Sequence, residues 1–255
     1  MNNQIIIEVN QDYIYAVYKA KNTIWYFNEL IKNGFSGYNS IKYSNNNQVF
    51  VWLENVRIEG EYYVGVLAEN GDPERVPLAD AIDWLVIEDA RLIGGYTIRY
   101  YRRTLDEDER INFDGYYGVR IDEGNDFFRP DRSSAEGAII TIENFYNNKD
   151  LNGILSCKDF RKEAENILIE NNIEINEETR SKIEAVLKIS FVEDLELNGF
   201  PNFDEIDRVF TLKDQKKDQH LIEEKVIYRD GSITINNLWV GFLKDDGWKV
   251  LNRVD

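Results

Sequence analysis

Along residues 12–34 the apolar positions step by threes and fours. Ala16, Ala20, Thr23, Phe27, Leu30 and Ile31 lie on one stripe, which predicts a helix of about five turns that Asp12 caps and Gly34 ends. Ahead of it, Ile5 to Val9 is short and β-branched and predicts a first strand or an ordered lead-in. Beyond Gly34 the period changes. A strand is expected at Ile41 to Tyr43, and further β-rich runs at Val49 to Leu53, Tyr62 to Leu67, Trp84 to Ile87 and Tyr96 to Tyr101. Turn signals separate them at Glu59-Gly60, Asn70-Gly71-Asp72-Pro73 and Asp89-Ala90. The double glycine Gly94-Gly95 permits a tight reversal that would feed Tyr96 to Tyr101 back as a strand, with Arg99 and Tyr101 on one face. The expected first domain, residues 1–125, is therefore a helix on a small antiparallel sheet or partly closed barrel.

From Gly124 to Glu143 the periodicity breaks, and residues 126–144 read as a linker. The second domain, residues 145–255, opens with two amphipathic helices. Phe160, Ala164, Ile167, Leu168 and Asn171 share one helical face, and Ile183, Val186 and Leu187 share another. Strands follow at Val209 to Leu212, Leu221 to Tyr228, Ser232 to Leu243 and Trp248 to Val254, with hairpin signals at Asp230-Gly231 and Asp246-Gly247. Helices followed by a meander of three to four strands make this a second α+β domain, and the whole chain α+β.

Composition narrows the function classes. With 43% hydrophobic, 30% charged and 13% aromatic residues the chain should fold. No apolar run approaches a membrane span and the start lacks a signal-peptide pattern, so a cytoplasmic protein is expected. The formal net charge of −17 is spread over both halves. Such a surface repels phosphate backbones and anionic lipids, which disfavours nucleic acid and membrane as partners. It favours a basic protein partner.

Candidate chemistry is sparse. Cys157 is the sole cysteine and reads as buried filler, and the sole histidine, His220, falls in the loop Lys216-Lys217-Asp218-Gln219. Asp106-Glu107-Asp108-Glu109 has calcium-loop character, but Ile111 stands where that loop needs glycine, so a solvated helix start is expected instead. Arg99, Arg102 and Arg103 pair with surrounding acids in this reading rather than hold a phosphate. No catalytic set, cofactor motif or metal-ligand spacing is expected. That leaves the Asp-Trp corner: Trp84 anchors the sheet, and Asp83 either accepts backbone N–H bonds beside it or stands as a lone carboxylate at a cleft.

These residues carry a resemblance. Residues 13 to about 125 resemble the bacterial domain of unknown function 2314. Ala16, Ala20, Thr23, Tyr26, Phe27, Glu29 and Leu30 match its helix, and Trp52 its strand. Ile82, Asp83, Trp84, Gly94, Gly95, Tyr96, Thr97 and Arg99 match its paired motif, with Leu105, Glu109, Arg110, Asp114, Gly118 and Val119 after them. The resemblance implies a fold and no activity. Where that family tends to carry histidine, this chain has Phe50 and Phe113, which removes the simplest acid–base chemistry. Residues 150–255 resemble the cone-shaped fold of nuclear transport factor two, on the order of elements and on Leu238-Trp239-Val240 and Trp248-Lys249-Val250-Leu251. This implies a curved sheet around a cavity.

The expected function is a non-enzymatic interaction or accessory protein, of the immunity type or similar, that covers a basic partner. One alternative is a small-ligand module in the cone cavity, near Trp239, Phe242 and Trp248. The other is a carboxylate-dependent hydrolase or isomerase built on Asp83.

Overall fold

The computed structural model describes residues 9–121 and 124–254. It divides into two compact units, Met1–Phe127 and Phe128–Asp255. The strand expected at Ile5 to Val9 lies outside the described residues except for Val9, which is exposed coil.

The first unit opens with helix α1 (Gln11–Lys32). Its cap is Asn10 rather than Asp12: the Asn10 side chain accepts the Tyr13 N–H, and Asp12 sits in the first turn where its charge suits the helix dipole. Ala16, Ala20, Thr23 and Phe27 are buried along the predicted stripe. Six antiparallel strands follow: β1 (Asn39–Ser44), β2 (Phe50–Glu59), β3 (Tyr62–Leu67), β4 (Pro73–Pro77), β5 (Asp83–Glu88) and β6 (Arg91–Gly94). They form one open sheet in the order β4-β3-β2-β1-β5-β6, so the barrel alternative does not hold. One face packs on α1 through Ile41, Leu53, Tyr63, Trp84 and Val86.

Residues 96–101 are not a strand. Helix α2 (Tyr96–Thr104) begins directly after Gly95, and α3 (Glu107–Tyr117) follows it. Aromatic and β-branched residues favour strand locally, but a cap supplied from β5 decides the conformation. Arg99 and Tyr101 are thus helical neighbours rather than strand-face partners. As expected, the acidic run starts a helix: Asp106 and Glu109 form a capping box at the head of α3. Arg102 holds Asp114 through two bonds of 2.6 Å. A second apolar cluster of Leu85, Leu92, Ile98 and Ile121, with Trp52, Phe113 and Tyr117, lies beside α2 and α3.

In the second unit helix α4 (Ala135–Asn147) occupies the later part of the stretch read as linker. Ala138, Ile139 and Ile142 are buried at helical spacing, and Ser134 caps the Gly137 N–H. Helices α5 (Leu151–Cys157), α6 (Phe160–Glu170) and α7 (Glu177–Asn198) start on Asp150, Asp159 and Asn176, each accepting an N–H three residues on. Strands β7 (Asp207–Lys216), β8 (Gln219–Ile227), β9 (Ile233–Leu243) and β10 (Gly247–Val254) form the expected meander in the order β10-β9-β8-β7. α4 lies against β8, β9 and β10. No helix among the described residues is long and apolar enough to cross a membrane.

Candidate functional site

The candidate site is the Asp-Trp corner at the start of β5. Alternation along the strand sends neighbouring side chains to opposite faces. Trp84, fully buried, turns to α1, where its indole N–H is shared between the Ala20 carbonyl and the Thr23 hydroxyl at 3.2 and 3.1 Å. Its ring meets Phe27, Tyr26 and Tyr96 at centroid separations of 5.8 to 6.1 Å. Asp83 turns the other way and is also fully buried.

The Asp83 carboxylate accepts four bonds. One oxygen takes the Trp84 N–H at 2.8 Å and the Tyr96 N–H at 3.2 Å. The other takes the Thr97 N–H and the Thr97 hydroxyl, both at 2.7 Å. Tyr96 and Thr97 are the first residues of α2, whose own cap, Gly95, has no side chain to offer. A strand residue therefore caps a helix that begins thirteen residues later.

The double glycine makes this approach possible. Gly94 and Gly95 both have positive φ, +75° and +60°. A Cβ on Gly94 would stand 2.5 Å from the Trp84 carbonyl oxygen and 2.6 Å from its ring, and one on Gly95 would stand 2.6 Å from Leu92. The Gly95 N–H donates to the Trp84 carbonyl at 2.7 Å.

Lys42 completes the corner and carried no signal in the sequence. It lies across from Asp83 on β1 and across from Trp52 on β2, so the three share a face. Its ammonium donates to the Thr97 hydroxyl at 3.1 Å and sits 5.2 and 5.9 Å from the Phe50 and Trp52 ring centres. Only 7% of Lys42 is exposed, while Phe50 beside it is 46% exposed. Burial pushes the Asp83 carboxyl up from its ordinary value, against the downward pull of the Thr97 bonds, the Lys42 charge and the Trp84 N–H. Burial pushes the Lys42 amine down, against the pull of Asp83. Tyr117 on α3 is raised to about 12 by burial and by the Tyr116 and Asp83 charges.

The other motif residues serve the same corner. The Ile82 N–H donates to the Lys42 carbonyl at 2.7 Å, and Arg99 reaches the Leu92 carbonyl at 3.2 Å. Of the two positions where histidine was expected in the family, Phe113 packs between Tyr101 and Tyr117 and Phe50 covers Lys42.

His220 is not in a loop. It belongs to β8, paired with Val240, and its ring lies 4.5 Å from that of Trp248, with burial lowering its basicity. The hairpin between β7 and β8 is only two residues, Lys217 and Asp218, which draws the flanking residues into strands. Cys157 is buried and free. Among the described residues no group of three or more His, Cys, Asp or Glu side chains could hold a metal ion. A second buried ionic cluster, Glu143 of α4 with Arg208 of β7 and Glu224 of β8, was also unmarked in the sequence; Arg208 lies 2.9 Å from Glu143 and 3.6 Å from Glu224.

Fold and corner together define the first unit as an α+β domain organised around a strand carboxylate that caps a helix. Residues 10–121, within this unit, match the family described as "Uncharacterized protein conserved in bacteria", the domain of unknown function 2314. A putative ankyrin repeat protein of Neisseria meningitidis serogroup B is 30% identical over 78 residues, which covers 27% of this chain. The match spans 31% of that relative's length. No solved structure matches the chain, and the cone-fold resemblance of residues 150–255 is not confirmed by these comparisons.

Proposed function

We propose that the chain is a cytoplasmic, non-enzymatic interaction or accessory protein that binds a basic protein partner. The observation that carries this reading is how its charge is distributed. Basic side chains are engaged with acids across both units, as in Arg57–Glu59, Arg102–Asp114, Arg132–Asp246, Lys182–Glu178, Lys213–Glu223 and Arg229–Glu205. With 47 acidic against 30 basic residues, the surplus left for a partner is negative, which speeds encounter with a positive surface and selects against acidic ones. Asp83, the strongest single candidate for acid–base work, already spends its oxygens on the start of α2. A relative named for ankyrin repeats is in keeping with an interaction role. The test is affinity capture of the full chain from its native host at low salt. A stoichiometric protein of high isoelectric point, released by raised salt, is expected; recovery of no such partner, or of one indifferent to salt, sinks the proposal.

One observation favours a small-ligand site in the second unit. Phe242, Trp248 and His220 form an aromatic group on one face of the meander, with Phe242 47% exposed. Trp239 cannot fill that group in, because it is three residues from Phe242 and faces the other way, with the Lys216 ammonium 4.2 Å from its ring centre.

A further inference from the structure

We propose that Lys42 is the nucleophilic amine of a binding site for small carbonyl compounds, aldehydes or α-keto acids, which it holds as an imine while Thr97 and Asp83 carry its proton. This goes beyond the interaction reading and does not depend on it.

Three observations support the site. Lys42, Thr97 and Asp83 lie in one hydrogen-bonded line, Nζ to Oγ1 at 3.1 Å and Oγ1 to Oδ2 at 2.7 Å. As Thr97 takes a proton from the ammonium it can pass its own hydroxyl proton to Asp83, so the amine is freed without a charge leaving the interior. The ammonium also has a single hydrogen bond among the described residues although it carries three donors. Buried donors are ordinarily satisfied, and the flanking Phe50 and Trp52 rings supply π faces rather than acceptors. Finally, the Phe50 ring that lies 5.2 Å from the ammonium is itself half-exposed, so one side chain at the surface stands over the amine. Burial of the amine works in the same direction by favouring its neutral form.

The step balances without an oxidant or reductant. The amine lone pair forms the N–C bond while the carbonyl π pair moves to oxygen. That oxygen then leaves as water with the two protons the amine carried, and the proton parked on Asp83 can return to the imine nitrogen.

The charged or titratable groups around the relay come from four elements: Asp83 of β5, Tyr13 of α1 and Tyr117 of α3, whose hydroxyls are raised by burial and by Asp83, and Tyr96 of α2.

The test is reductive trapping on the full chain with glyoxylate and cyanoborohydride, read by peptide mass mapping across pH. Lys42 is expected to be labelled several-fold faster than the surface lysines, with its labelling midpoint at lower pH than theirs. Phe50→Ala should speed labelling at Lys42 alone. Thr97→Val should move the Lys42 midpoint back toward the surface value, and unchanged hydrogen exchange in β1 would show that the fold is kept. Lys42→Arg should abolish the label at that position. If Lys42 is labelled no faster than surface lysines, or with their pH midpoint, in both the wild-type chain and Phe50→Ala, the site does not exist, because the second variant removes occlusion as the explanation.

Discussion

Replacing Asp83 by alanine should unfasten α2 from the sheet. The substitution removes the acceptor for three backbone N–H groups and one hydroxyl. Loss of a helix cap costs about 1–2 kcal/mol, and leaving a buried charge without its partner costs about 3–5 kcal/mol. Here the stranded charge is Lys42. The two effects overlap in one network, so the expected total is about 3–5 kcal/mol rather than their sum. Because the chain has two units, a single melting curve mixes both; hydrogen exchange followed peptide by peptide keeps them apart. The amides of Tyr96 to Arg99 should lose protection first, and those of β8 and β9 in the second unit should stay as they were. Asp83→Asn should fall between wild type and alanine, since it keeps one acceptor and places an NH2 opposite the Thr97 donors. Pairing Asp83→Asn with Lys42→Met should recover at least about 1 kcal/mol of the loss. A cost below about 1 kcal/mol for Asp83→Ala, with α2 protection intact, would refute the capping account.

Other expectations follow from single sites. Gly94→Ala should destabilise by more than about 2 kcal/mol, because its Cβ meets Trp84 as well as the left-handed backbone, whereas Gly71→Ala has a similar φ with nothing within 4 Å and should cost about 1 kcal/mol; paired urea titrations separate the two. Asp89 and Ala90 turn the β5–β6 hairpin with φ of 49° and 57°, so Ala90→Gly should raise the urea midpoint by about 1 kcal/mol equivalent. Glu143 is held well above its ordinary pKa by burial and by Glu224. A group raised on folding contributes stability below its unfolded pKa, and this is lost as pH rises through the folded value. The second unit should thus weaken from about pH 4.5 upward, and Glu143→Gln should flatten that slope; an unchanged slope rejects the assignment.

What could be read from the chain depended on how local its cause was. The α1 stripe, the hairpin dipeptides and the acidic start of α3 are each encoded within a few residues, and the structure has all three. Residues 96–101 read as a strand because the deciding contact of α2 is an Asp83 bond thirteen positions away, which no window of propensity contains. Lys42 was invisible for the same reason: within β1 it is one polar residue in a short run, and only the pairing with β5 and β2 places it beside Asp83 and Trp52. Helix α4 was legible after the fact, through Ser134 and the spacing of Ala138, Ile139 and Ile142, but proline and charge just upstream masked it.

The reach from Asp83 to α2 also makes the segment between them a ruler. A nine-residue helix is too short to persist alone in water, so α2 exists only while β5, the turn at Asp89-Ala90 and β6 present its first two amides to the carboxylate. Adding or deleting one residue in that span would shift the amides off the acceptor and reverse the side of the sheet each later residue faces. Length is therefore held fixed between Asp83 and Thr97, while the exposed tip at Asn46 and Asn47 is free to grow, and it is there that a tag or probe can be inserted without shifting Asp83 from α2.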